Sequence, residues 1–418
     1  MTRTLVGSSV ELDVGPVAHG GHCVARWEGR VVFVRHALPG ERVRVHITEG
    51  DDRSRFLRAD AVDVLVAAPG RVERPCPWSG PGRCGGCDWQ HADAATQRDL
   101  LAAVVAEQMQ RLAGLQVDVS VEPVGTGLLD WRTRMSWAVD RRGRAGLRRH
   151  RSHDVVPIDD CRIAAAGLPP VAGGTWQGAH VEAVVGSTGD RLLVLEGPPA
   201  RGTVAPDVGI RGADGRSVRG RGAVRERVRD RTFRVTGAGF WQVHPDAATT
   251  LVDAVLSGAD VGAGQTVWDL YAGVGLFSAF LAEAVGAEGA VVAVEADARA
   301  VRDARRNLHD LPQARLRPGR VERVLGQAVR AGERADVVVL DPPRTGARAE
   351  VVRAVAELAS TRVVYVACDP AALARDVKTF TESGWQLDGL RAFAMFPMTH
   401  HVECVASLTP AAAAAGAP

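Results

Sequence analysis

From about residue 262 onward, short apolar runs alternate with stretches whose apolar positions recur every three or four residues. The runs Thr266–Leu270, Ala290–Glu295, Ala314–Arg317, Ala335–Leu340 and Arg362–Ala367 read as buried strands. Between them, residues near 276–286, 298–309, 320–330 and 348–359 read as amphipathic helices. A further helix, Ala371–Ser383, precedes two last strands at Leu387–Met395 and His401–Leu408. Seven strands with five crossovers and a terminal hairpin describe a doubly wound α/β sheet.

The first 66 residues follow another pattern. Val-rich segments at Ser9–Val14, Cys23–Trp27, Arg30–Val34, Glu41–Thr48 and Phe56–Val64 are separated by Gly, Pro and acidic turns. Five short strands at this spacing fit an OB-like barrel, a fold that holds single-stranded nucleic acid or serves as a plain appendage. Pro69–Gly70 and Pro75–Gly82 mark a boundary. Ala92–Leu112 then reads as a helix, with Leu100, Leu101, Val104, Val105, Gln108 and Leu112 on one stripe. Residues 117–200 alternate short strands, among them Trp131–Val139 and Arg191–Leu195, with Gly and Arg turns. Ala200–Arg221 is expected to be a loop or a weakly ordered hairpin. The expected organisation is a barrel over 1–66, a mixed α+β domain over 67–240, an α/β domain over 241–408 and a disordered Ala-rich tail over 409–418.

Composition changes this picture little. The 418 residues, 46% hydrophobic and 24% charged, allow two to three ordinary globular domains. No charged-then-apolar leader and no run of membrane-spanning length is visible, so a cytoplasmic protein is expected. Charge adds more. The net charge is only +2, yet Trp131–Arg162 holds nine Arg against four Asp, and Arg201–Arg234 ten Arg against four acidic residues. Such clusters suit phosphate contacts, although a solvated face in a chain whose one lysine is Lys378 would look the same.

Three apolar runs end on residues able to do chemistry. Arg362-Val-Val-Tyr-Val-Ala-Cys368-Asp369-Pro370 delivers a thiol to the carboxyl edge of the sheet, where open α/β folds bind their ligands. Val337-Val-Val-Leu-Asp341-Pro-Pro-Arg344 ends on a carboxylate held by two prolines. Val267-Trp-Asp269-Leu-Tyr271-Ala-Gly273-Val-Gly275 closes with a Gly-x-Gly turn that lets a cofactor approach the backbone. Glu295 ends the second strand, placed either to bind a ribose diol or to cap the helix Ala296–Asn307. Phe240-Trp-Gln242-Val-His244 suggests a loop that closes over a cofactor. Glu403 begins the last strand, where a carboxylate is costly unless used or paired, and is a candidate general base. His400 and His401 are alternatives to it.

Seven cysteines, an odd number, argue for metal or catalytic use rather than a disulfide framework. Cys76-x7-Cys84-Gly-Gly-Cys87 is a knuckle able to hold a metal, and Cys161 is the obvious fourth donor. Spacing leaves zinc and an iron–sulfur cluster both open.

Taken together, these residues resemble the RNA 5-methyluridine methyltransferase family over nearly the whole chain. The marks are Phe240-x-Gln242, Asp269-Leu-Tyr-Ala-Gly-Val-Gly-Leu-Phe-Ser278, Asp341-Pro-Pro-Arg-x-Gly346, Ala367-Cys-Asp-Pro370 and Phe396-Pro-x-Thr-x-His-Val-Glu403. The resemblance implies a TRAM barrel and a Rossmann-like, class I S-adenosylmethionine-dependent domain. It implies Cys368 as nucleophile toward carbon 6 of uracil and Glu403 as base. Gln242, Tyr271, Gly273, Glu295 and Asp341 would contact S-adenosylmethionine, and Cys76, Cys84, Cys87 and Cys161 would hold a 4Fe-4S cluster. The implied partner is ribosomal or transfer RNA, met by a monomer. The chain departs from the family's pattern at His244, Leu276 and Ala394, and in the seven residues that separate Cys76 from Cys84, against about five in the family. Alternatives are an amino-group methyltransferase using the Asp-Pro-Pro-Arg loop and a catalytically retired RNA-binding protein.

Overall fold

The computed structural model describes residues 3–125, 127–198, 204–237 and 239–411. Strands β1 (Ser9–Val17), β2 (Cys23–Trp27), β3 (Arg30–Arg35), β4 (Arg42–Glu49) and β5 (Phe56–Val66) close a barrel in the order β1-β2-β3-β5-β4. Alternation along the strands buries Val32, Val34, Val43, Val45 and Ile47 inside it. The linker is pinned by buried Glu41, which accepts from the Leu38 and Ala68 amides and from the Arg71 guanidinium.

Helix α1 (Ala94–Gln108) starts two residues later than its apolar stripe suggests, because Asp93 caps it by accepting from the Thr96 amide at 2.7 Å. It widens into a single π turn, Met109–Ala113, and stops at left-handed Gly114. After β6 (Val121–Pro123) come β7 (Arg134–Val139), β8 (Ala145–Arg148), β9 (Val155–Pro157), β10 (His180–Val185), β11 (Arg191–Leu195), β12 (Gly209–Gly212) and β13 (Ser217–Arg219). These last seven form one sheet, ordered β13-β12-β11-β10-β7-β8-β9. Within Ala200–Arg221, residues 200–203 lie outside the described residues; the rest contains the antiparallel β12–β13 hairpin at the sheet's edge. A second hairpin, β14 (Ala223–Val228) and β15 (Arg231–Thr236), leads into α2 (Ala247–Ala259).

The remaining chain runs β16 (Thr266–Leu270), α3 (Leu276–Val285), β17 (Ala290–Glu295), α4 (Ala298–Asn307), β18 (Ala314–Pro318), α5 (Val321–Arg330) and β19 (Ala335–Leu340). It continues through α6 (Arg348–Leu358), β20 (Ala359–Ala367), α7 (Pro370–Glu382), β21 (Trp385–Ala394) and β22 (Glu403–Pro410). The sheet order is β18-β17-β16-β19-β20-β22-β21-β6, with β22 antiparallel between its neighbours. Helices cover both faces. Val337, Val339, Val364 and Val366 therefore pack on one side, and Val338, Leu340, Val363 and Tyr365 on the other. That is why these strands read as continuous apolar runs.

Two expectations need correction. The sheet has eight strands, not seven, because β6 joins β21 in parallel and the Arg391–Glu122 fork holds it at 2.8 Å. A three-residue strand closing a distant edge leaves no periodic signal. The last strand also runs through Thr409 and Pro410, two residues into the expected tail; residues 412–418 lie outside the described residues.

Candidate active site

The strand order reverses between β16 and β19, which opens a crevice at their carboxyl ends. Tyr271 follows β16, Asp341 follows β19 and Cys368 follows β20. Because β22 is antiparallel, its first residue comes to the same edge, and the pairing of Ala367 with Cys404 sets Glu403 beside the end of β20. A cavity of about 670 Å³ there is lined by all seven residues singled out for catalysis and cofactor binding: Cys368, Glu403, Gln242, Tyr271, Gly273, Glu295 and Asp341.

Local structure fixes each of them. Tyr271 takes a left-handed φ of 63°, a strained backbone of the kind found at ligand sites. Gly273 has φ 57°, and a Cβ placed there would meet nothing within 4 Å, so its backbone faces open space. Glu295 accepts from the Gly273 amide at 2.9 Å and from the Asp297 amide at 2.6 Å, bracing the turn. The cap of α4 is Asp297, which accepts from the Arg299 and Ala300 amides, so Glu295 is not needed as a cap. Asn307 donates to the Val274 carbonyl and ties the same turn to the β15 hairpin through the Arg234 carbonyl. Beyond Asp341, buried Asp376 accepts from the Ala347 amide at 2.7 Å and the Tyr365 hydroxyl at 2.6 Å, anchoring the Asp-Pro-Pro-Arg loop.

The cavity's electrostatics are dominated by carboxyl groups. Asp269 is fully buried beneath it; burial pushes its pKa up to about 7, against a hydrogen bond from the Ser278 hydroxyl. Burial, then the neighbouring Asp269, also raises Asp341. Glu403 is raised well above the usual carboxylate range by burial and by Asp341, with Arg344 opposing. The Cys368 thiol is pushed up to about 12, first by burial and then by Glu403 and Asp341, again with Arg344 opposing. The cavity thus holds a protonated thiol beside a carboxyl of high proton affinity, and a cation beside them would favour ionisation of both.

The two histidines separate here. His400 turns away, its Nδ1 lying 2.6 Å from Asp88 Oδ2. His401 lines the cavity, but burial and neighbouring positive groups push its pKa down to about 4. Of the base candidates, Glu403 combines position with proton affinity. His244 is buried and stacks on Trp131 at 5.9 Å, and neither it, Leu276 nor Ala394 lines the cavity. Phe240 stands at the wall 74% exposed, whereas Trp241 is buried against Phe233. Four further lining residues, Arg132, Arg344, Phe396 and Thr399, had no assigned role in the sequence.

Cys76, Cys84, Cys87 and Cys161 line a separate cavity of about 440 Å³. Among the described residues no three His, Cys, Asp or Glu side chains converge as a single metal ion requires. The expected metal centre is therefore not met as a single-ion site, although its four cysteines do share one cavity. Arg132 lines both cavities. No helix among the described residues is long and apolar enough to cross a membrane.

Comparison with known proteins gives the family and the fold. Residues 3–62 match the TRAM domain and residues 221–410 match the tRNA (uracil-5-)-methyltransferase family. An uncharacterized RNA methyltransferase of Streptomyces coelicolor is 50% identical, over 98% of this chain and 94% of that protein. One from Bifidobacterium longum is 38% identical, over 97% and 98%. The fold is that of the tRNA (uracil-54, C5)-methyltransferase of Pyrococcus abyssi, solved with S-adenosyl-L-homocysteine. The TM-score is 0.71, at 22% identity over 95% of this chain and 99% of that one.

Proposed function

The chain belongs to the tRNA (uracil-5-)-methyltransferase family, and from that premise we propose that it methylates carbon 5 of a uridine in ribosomal or transfer RNA through a covalent adduct on Cys368. The observation that carries this reading is the meeting of Cys368 and Glu403 in one cavity, at the ends of paired strands.

Carbon 5 of uracil is a weak nucleophile. The Cys368 thiol loses its proton to solvent, and attack of the resulting thiolate on carbon 6 moves the ring electrons toward carbon 5 and the carbon 4 oxygen, making carbon 5 enolate-like. Bound S-adenosylmethionine would supply the methyl group from its positively charged sulfur, which would leave as the neutral thioether of S-adenosylhomocysteine. Glu403 then takes the proton from the newly methylated carbon 5. The electrons of that C–H bond restore the ring double bond, the carbon 6–sulfur bond breaks, and Cys368 leaves as thiolate. Burial suits both roles: the thiol is kept protonated until the cavity fills, and the raised Glu403 is a stronger base than an exposed carboxylate. Glu295, Asp341, Gln242, Tyr271 and Gly273 would hold the cofactor, Glu295 by its ribose and the backbone turn at Gly273 by close approach.

Cys76, Cys84, Cys87 and Cys161 would hold a 4Fe-4S cluster with a structural or RNA-positioning role. What supports this reading is that all four cysteines line one cavity. An amino-group methyltransferase would need no thiol beside Asp341. A retired enzyme would not be expected to keep the whole set in one cavity. The enzyme is taken to act as a cytoplasmic monomer, where its RNA is.

The test is transfer of labelled methyl groups from S-adenosylmethionine to total tRNA and rRNA, followed by digestion to nucleosides. Label in 5-methyluridine is the expected result. Label only in methylated amino groups, or none, would reject the reading.

A further inference from the structure

A second recess lies close to the catalytic cavity, between the barrel and the β8–β9 hairpin, and encloses about 340 Å³. That is within the size range of small-ligand pockets, about 300–1,000 Å³. The two share no lining residue, but a short chain of contacts joins them. Gly21 packs so tightly on His400 that a Cβ there would come within 2.6 Å of the His400 Cβ. The His400 ring lies 4.2 Å from that of His401, which lines the catalytic cavity, while His22, the neighbour of Gly21, lines the recess.

One wall is aromatic. His22 meets Phe33 edge-on at 5.7 Å and His150 at 6.4 Å, and Phe33 meets half-exposed Phe56 at 5.6 Å. The Arg58 guanidinium stands over both phenyl rings, at 5.4 and 5.5 Å. Burial and neighbouring arginines push His22 down to about 4, and burial with Arg35 does the same to His150. Both rings are neutral at physiological pH and offer faces rather than charges. The rest of the lining carries charge: five arginines against three carboxylates, Glu49, Asp60 and Asp154. Glu49 is already engaged by Arg58 at 3.3 Å and by Arg151 at 3.9 Å, Asp154 lies 3.8 Å from Arg149, and burial holds Asp60 toward its neutral form. Aromatic faces beside a net positive wall are what a single-stranded nucleotide needs.

We propose that this recess binds a second nucleotide of the substrate RNA, its base against the His22–Phe33–His150 wall and its phosphate on the arginines. It would thereby hold the strand whose uridine enters the catalytic cavity. The inference deepens the RNA-methylation reading and rests on it. No barrel residue lines the catalytic cavity, and the recess gives the barrel a task in substrate choice.

The test uses the full-length protein and RNA substituted with 4-thiouridine. Photo-crosslinks are expected on peptides containing His22, Phe33 or His150 as well as in the catalytic cavity. In parallel, His22→Ala/Phe33→Leu should weaken binding of a long RNA by about 5- to 150-fold, the range for one lost stacked base. Binding of a trinucleotide that fills only the catalytic cavity should not change, and kcat at saturating long RNA should hold. Crosslinks confined to the catalytic cavity, together with unchanged long-RNA affinity in the double variant, would overturn the inference. Neither readout needs turnover. A protein that crosslinks through the recess yet methylates nothing would refute the enzymatic reading while the recess remains an RNA site.

Discussion

The catalytic cavity and the cysteine cavity are built on opposite principles. The first takes Tyr271, Asp341, Cys368 and Glu403 from the ends of four hydrogen-bonded strands that are mostly buried and are buried throughout next to the site. The second takes Cys76, Cys84, Cys87 and Cys161 from turns, supported by isolated bridges such as Ser79 with Cys84 and Cys84 with Arg149. It depends on close backbone contact, since a Cβ at Gly85 would lie 2.3 Å from the His150 amide nitrogen. A sheet edge holds reactive groups in place without any occupant. A cage of turns has little of its own to hold it, so whatever binds there becomes part of the fold.

The sharpest way to break this contrast is at the nucleophile. Cys368→Ala should lower methyl transfer on the order of 10⁴-fold or more, as loss of a covalent nucleophile does, with the melting temperature unchanged. Glu403→Gln comes next. Turnover should fall roughly 10²- to 10⁴-fold, and methylated RNA should remain attached to Cys368 on denaturing gels because its proton cannot leave. The opposite pattern is expected in the turn-built cavity. Cys84→Ser should lower the melting temperature by on the order of 5 °C and abolish any visible absorbance, while residual protein that stays folded keeps Cys368 competent. Unchanged stability there would end the contrast. The smallest effect is graded. Cys368 and Glu403 both work deprotonated and both have raised pKa values, so kcat/KM should rise across pH 6–9, by about tenfold per pH unit where one of them titrates and up to about a hundredfold where both do. A falling profile would contradict the assignment.

The same contrast decides what could be read from sequence. The ends of β19 and β20 were legible because a continuous apolar run stops at Asp341-Pro-Pro and at Cys368-Asp-Pro, marking buried strands and their functional edge at once. The residues assigned at or just after strand ends reach one cavity for that reason, and Gln242 joins them from the loop before α2. The choice among Glu403, His400 and His401 was not legible. It depends on β22 inserting antiparallel beside β20 and on Asp88, three hundred residues away in sequence, drawing His400 aside. Strand β6 was missed because Val121-Glu-Pro carries no period and its partner is β21. Arg132 was one of nine arginines in its segment, and nothing local distinguishes the one that borders both cavities. His244, read as part of a cofactor loop, is instead a buried ring packed on Trp131.

The most direct test of the central claim is a trap for the adduct. RNA carrying 5-fluorouridine, incubated with the protein and S-adenosylmethionine, cannot lose fluorine as it would lose a proton, so the intermediate should accumulate. Mass spectrometry of the digested complex should find a methylated fluorouridine on the peptide containing Cys368 and none in Cys368→Ala. An RNA methylated at carbon 5 with no adduct at Cys368 would contradict the covalent mechanism.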